Sequence, residues 1–170
     1  ITSEADKVYS GFLKKSFSEL EEREEVKKMV DSYTNLCRRL IIKYRIGGAR
    51  NSHLLMVLMS RLVLVHHAYY NMYKFAASRK KCAISESSLK LMNEINNSFK
   101  LLHDSYASKD AAKASQLHDT ADSLYFKKVP SLLIKSKGID NVIIFYLGEI
   151  IRLILMDANL LFGLIEPSKS

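Results

Sequence analysis

Two octapeptides, RLVLVHHA at 61–68 and RLILMDAN at 152–159, write nearly the same apolar helix twice in one chain. Each opens on Arg-Leu and continues through three apolar side chains. Each then meets a polar residue, His66 in the first copy and Asp157 in the second. The upstream stretch 31–40, DSYTNLCRRL, aligns in the same way with 118–127, HDTADSLYFK, and pairs Asn35 with Asp122. The small difference between the two alignments falls in the loop before the third helix. Any two amphipathic helices share an apolar period, but a shared Arg-Leu start and a shared order of elements point further, to a duplicated helix–helix–helix unit. One such unit cannot bury its apolar faces alone, whereas two packed together can. The expected fold is therefore all-α, a six-helix bundle of two tandem three-helix repeats in a single domain. Repeat one spans about 1–79 and repeat two about 85–166.

Composition agrees with a helical reading. The chain has 170 residues, of which 48% are hydrophobic, enough for one buried core and too many for a disordered segment. Only 6 Gly and 2 Pro leave long stretches without a turn signal, unlike a turn-rich β protein. The stretch 142–165 is apolar enough to raise the question of a membrane span. Glu149, Arg152 and Asp157 argue against it, because each ionised side chain at mid-bilayer costs about 2.5–3.5 kcal/mol. Glu149 and Arg152, three residues apart, can pair on one helix face. A helix buried on most sides of a bundle is expected there.

Punctuation along the chain gives the rods. The first helix is expected from Ser3 to Ser16, with Val8, Tyr9, Phe12 and Leu13 on one face. A capping box, Ser18 to Glu21, opens the second. Val26, Met29, Val30, Tyr33, Leu36, Cys37, Leu40, Ile41 and Tyr44 form its apolar stripe, and Gly47-Gly48 stops it. Asn51 or Ser52 caps a third helix from Leu54 to about Ser78, and Ser85 caps a fourth. A fifth opens at 108–110 and reaches about Lys135, with a kink or a break near Lys128 imposed by Pro130. Asp140 or Asn141 caps the sixth. The apolar surface of the third and sixth helices predicts a homodimer.

The net charge of +8 favours polyanions, but the basic residues are scattered as pairs and triplets, as on solvated helix faces. Aromatic residues such as Tyr69, Tyr73, Phe145 and Phe162 sit at core spacing and do not read as base-stacking platforms. Of the two cysteines, Cys37 is expected in the core. The Cys82 thiol would be lowered in pKa by 79–81, Arg-Lys-Lys. With no disulfide framework, a reducing, cytoplasmic setting is the default. No nucleophile–base constellation, H-E-x-x-H zinc pattern or phosphate-binding glycine loop is present in the sequence, so a non-enzymatic protein is expected.

The organisation resembles the PhoU family of phosphate-uptake regulators, and the resemblance covers nearly the whole chain. Family members carry D-x-A-x-x-(V/I)-x-x-x-D-x-x-(V/I)-D-x-L-Y on the second helix; 110–125 here reads DAAKASQLHDTADSLY. On the third helix the family has E-R-I-G-D-H-A, to which His66-His67-Ala68 and Asp157-Ala158-Asn159 correspond. The resemblance implies E/D-x-x-x-D pairs on these helices, stacked one turn apart on a face where carboxylates can share a cation. The matching positions are Asp31, Asn35, Leu62 and His66 in repeat one, and His118, Asp122, Leu153 and Asp157 in repeat two. Leucine replaces both third-helix glutamates. The candidate metal set is then Asp31, Asn35, His66, His118, Asp122 and Asp157, with imidazoles that would turn metal preference towards zinc or iron.

By the same resemblance, the protein would act in phosphate or metal homeostasis by contacting a transporter ATPase or a sensor kinase. The chain given opens on Ile1, not Met, which leaves room upstream for an AbrB-like DNA-binding domain of the kind some archaeal relatives carry. That arrangement would make this the helical part of a transcriptional regulator. Two other classes are a metal-sensing bundle centred on His118, Asp122 and Asp157, and a basic nucleic-acid-binding protein.

Overall fold

The computed structural model describes residues 2–14, 16, 17, 20–79, 82 and 84–165, and among these there is no strand. Helix α1 is Thr2–Lys14, α2 Leu20–Tyr44, α3 Gly48–Ala77 and α4 Glu86–Ser108. Helix α5, Ala111–Ser123, runs through a wider π turn at Leu124–Lys128 into α6, Val129–Lys135, so these three segments form one rod. Helix α7 is Ile139–Ile165. The expected six rods are present.

Local chemistry explains most of the ends. Ser85 caps α4, its side chain accepting from the Ser88 N–H at 3.2 Å. Asp110 caps α5 by accepting from the N–H groups of Ala112 and Lys113 at 2.9 and 3.2 Å. Two expected caps differ. Helix α3 begins at Gly48, ahead of Asn51 and Ser52, because Gly47 takes φ 81° and turns the chain directly from one helix into the next. A Cβ there would lie 3.0 Å from that of Asn51. Asp140 falls inside the first turn of α7 and accepts from the Ser85 N–H at 3.0 Å, tying the starts of α4 and α7 together. The capping box at Ser18 lies outside the described residues.

The disturbance expected from Pro130 is also real, but it takes the form of a π turn. Proline has no N–H and its ring crowds the carbonyl four residues back. The chain widens just before it, and the Val129 N–H bonds to the Leu124 carbonyl five residues back.

Helix α7 is the hub. It packs on α3, α4, α5 and α6, and buries Ile143, Ile144, Leu147, Ile150, Ile151, Ile154 and Leu161. Gly148 lets α6 come close; a Cβ there would meet Val129 at 3.1 Å. The expected Glu149–Arg152 pair forms at 3.0 Å. No helix among the described residues is long and apolar enough to cross a membrane. Phe145, expected in the core, is exposed.

Helix α2 sits differently. It packs on α3, and the inward face of α2 is largely polar. Arg23 pairs with Glu4 of α1 and lies over the Tyr73 ring at 4.1 Å. The Tyr70 hydroxyl donates to Glu24, and His67 Nε2 meets Asp31 Oδ1 at 2.7 Å. Met29, Tyr33, Leu36, Leu40 and Tyr44, expected to face the core, are exposed instead. Cys37 is half-buried, not core. The surplus apolar surface therefore lies mainly on α2, where α3 and the last helix were expected to carry it.

Candidate functional site: a polar seam between α3 and α7

Helices α3 and α7 are long, apolar and packed against each other, and each carries one ionisable group into the interior. His66 is 1% exposed and Asp157 0%. Neither ring nitrogen of His66 and neither carboxylate oxygen of Asp157 has a hydrogen-bond partner among the described residues. A buried polar group left without a partner costs about 1–3 kcal/mol, so a chain that keeps two departs from ordinary core design. Such departures are commonest where function overrides stability.

One cation approaches. The Arg61 guanidinium, one turn and a half before His66 on α3, reaches 3.6 Å from Asp157 Oδ1 and donates to the Met156 carbonyl at 2.8 Å. It thereby bridges α3 to α7 without completing a hydrogen bond to the carboxylate. Burial raises the Asp157 carboxyl to about 7, Arg61 working in the opposite direction. Burial likewise pushes the His66 imidazole below its ordinary value. Both groups therefore favour their uncharged forms. The counterpart of Arg61 on α7, Arg152, stays on its own helix and pairs with Glu149.

Beside the seam, Leu64, His67, Ala68, Asn71, Phe145, Tyr146, Glu149, Arg152 and Leu153 line an open cleft of about 400 Å³ between α3 and α7. Its floor is apolar, and its rim carries an imidazole, an amide, a carboxylate and a guanidinium. A polar peptide segment or small polar ligand could find matched donors and acceptors there.

The six residues aligned from the sequence are not brought together as one metal set. Among the described residues, no group of three or more His, Cys, Asp or Glu side chains is arranged to hold a metal ion. Asp31, on α2, is engaged by His67 and Lys27 at 2.7 and 3.1 Å. Burial would raise its pKa, but these two partners hold it below the ordinary value. Asn35 is exposed on the outer side of α2. His118 and Asp122 lie half-buried on α5, and Asp119 faces water as expected. Of the six, only His66 and Asp157 are fully buried, and they have different surroundings: the charges nearest His66 include Glu4 of α1 and Asp31 of α2, whereas Asp157 faces Arg61 across the α3–α7 seam. Arg61 and His67 were missed as site residues. The signal for Arg61 was present in the sequence, since an arginine within an apolar helix with no acidic residue three or four positions away on that helix must find its partner elsewhere.

Cys82 also differs from expectation. It is buried, and burial raises its thiol pKa despite the nearby Arg79. The fold and seam define an all-helical protein with a strained polar interior. Comparison with models of known families, with curated proteins and with solved structures finds no match.

Proposed function

We propose that the chain is a non-enzymatic regulatory bundle of PhoU type, acting in phosphate or metal homeostasis through contacts with a protein partner. In this reading α1–α3 and α4–α7 are two copies of one unit. Matched packing supports it: α2 lies on α3 as α5 lies on α7, and α1 touches α3 as α4 touches α7. Across the halves, α3 meets α7 and α1 meets α4. The observation that carries the reading is that His66 and Asp157, aligned from the sequence alone, are both buried without hydrogen-bond partners.

The seam then serves as a two-state element. Closed, it holds the buried Asp157 carboxyl without a hydrogen-bond partner, at a cost. A partner or ligand that separates α3 from α7 slightly, and supplies hydrogen bonds to the Asp157 carboxyl, binds the open arrangement preferentially and shifts the population towards it. The cleft beside the seam offers the approach.

The test is binding of the purified protein to the phosphate-transporter ATPase and to the phosphate-responsive sensor kinase of the same organism, measured by calorimetry. Saturable binding to either, weakened by substitution at Asn71 or Arg152 on the cleft rim, is the expected result. Absence of binding to both, up to high-micromolar protein, contradicts the proposal.

A further inference from the structure

Helix α2 carries an apolar stripe that its own chain leaves uncovered. Val26, Met29, Tyr33, Leu36 and Leu40 follow one another at alternating spacings of three and four residues, the a/d rhythm of a coiled-coil seam. Met29, Tyr33, Leu36 and Leu40 are 49%, 61%, 51% and 38% exposed. The inward face of the same helix is a different set, Arg23, Thr34 and Ile41, so the stripe is not a misplaced core face. Its uncovered state has a cause in the packing. Helix α5 is flanked by both α4 and α7, whereas the packing of α2 within the chain is on α3.

We infer that this stripe is the contact surface for a second copy of the chain, with the two α2 helices antiparallel. The charges along the helix select both occupant and direction. Glu21, Glu22 and Glu25 stand at one end, and Arg39, Lys43 and Arg45 at the other, all exposed. A parallel copy would set acid against acid and base against base. An antiparallel copy related by a twofold axis level with the junction of Asp31 and Ser32 brings Glu25 to within about one residue of Arg39 of the second copy, and the symmetry makes that pair twice. Glu25 and Arg39 flank the stripe at equivalent places two heptads apart, and neither has an ion-pair partner among the described residues. In the same register Val26 packs on Leu36 of the second copy, and Met29 on Tyr33. The contact is isologous and closed, so it yields a dimer and not a filament.

Sedimentation velocity over a range of concentrations tests this. The wild type is expected to form a dimer, and Tyr33→Glu with Leu36→Glu a folded monomer, its helicity checked by circular dichroism. Glu25→Arg alone and Arg39→Glu alone should each weaken association about tenfold, since each replaces two attractions with two repulsions. Combining them should restore it. A wild type that stays monomeric at high-micromolar concentration overturns the inference. So does a dimer that the charge reversals leave unchanged, or one that the combined variant fails to restore.

Discussion

Arg61 stops 3.6 Å short of Asp157 Oδ1 and gives its hydrogen bond to the neighbouring Met156 carbonyl at 2.8 Å. The cation thus sits close enough to moderate the buried carboxyl and too far to neutralise it, which leaves that carboxyl poised near neutral pH.

A first consequence is a reversed pH dependence. Asp157 has a folded pKa of about 7, well above the ~3.9 of an unfolded aspartate. Between these values the folded state holds the extra proton, so this group's contribution to stability falls as pH rises from about 4 to about 7. The full penalty is on the order of 4 kcal/mol. Asp157→Asn, which mimics the protonated side chain, should melt higher than wild type at pH 8, with the gap closing towards pH 5. Thermal unfolding of both proteins across that range checks it.

His66 contributes in the opposite sense. Its folded pKa is depressed, so the unfolded chain takes up a proton first as pH falls through about 6.5, and stability is lost there. His66→Leu removes both this loss and the unpartnered ring nitrogens. It should stabilise the protein by about 1–3 kcal/mol at pH 6, read from the urea midpoint.

A satisfied polar group makes the contrast. The Tyr69 hydroxyl donates to Asn96 Oδ1 at 2.6 Å, and Asn96 Nδ2 donates to the Ala5 carbonyl at 3.2 Å, linking α3, α4 and α1. Tyr69→Phe strips the amide oxygen of its donor inside the core. A loss of about 1–3 kcal/mol in denaturant unfolding is expected.

The two thiols should differ in reactivity. Cys82 is buried and its pKa raised, whereas Cys37 is half-buried on α2. Brief alkylation of the native protein followed by mass spectrometry should find Cys37 modified first. Equal labelling would show that the stretch around Cys82 opens readily.

Much of the architecture was legible because long apolar runs, a serine cap and an aspartate cap are local signals. The two octapeptides also pointed to His66 and Asp157, and both prove to be buried without hydrogen-bond partners among the described residues, although the charges around them differ. What failed was the assumption that an apolar stripe faces its own core. On α2 the inward contacts are made by Arg23, Glu24 and Asp31 with Tyr73, Tyr70 and His67, long-range pairs that no local pattern announces. The same error hid Asp31 in a metal set, because helical spacing says which residues share a face and not which way that face turns. Cys82 was misjudged for a related reason: neighbouring charge can be read from sequence, but desolvation cannot.

The most direct test is the titration of the Asp157 side chain, followed by carboxyl-carbon NMR with Asp157→Asn to assign the signal. The account predicts a midpoint near 7, moving higher in Arg61→Met because the one moderating cation is gone. A midpoint in the ordinary aspartate range would mean the carboxyl is solvated or fully paired, and the strained seam between α3 and α7 would not exist.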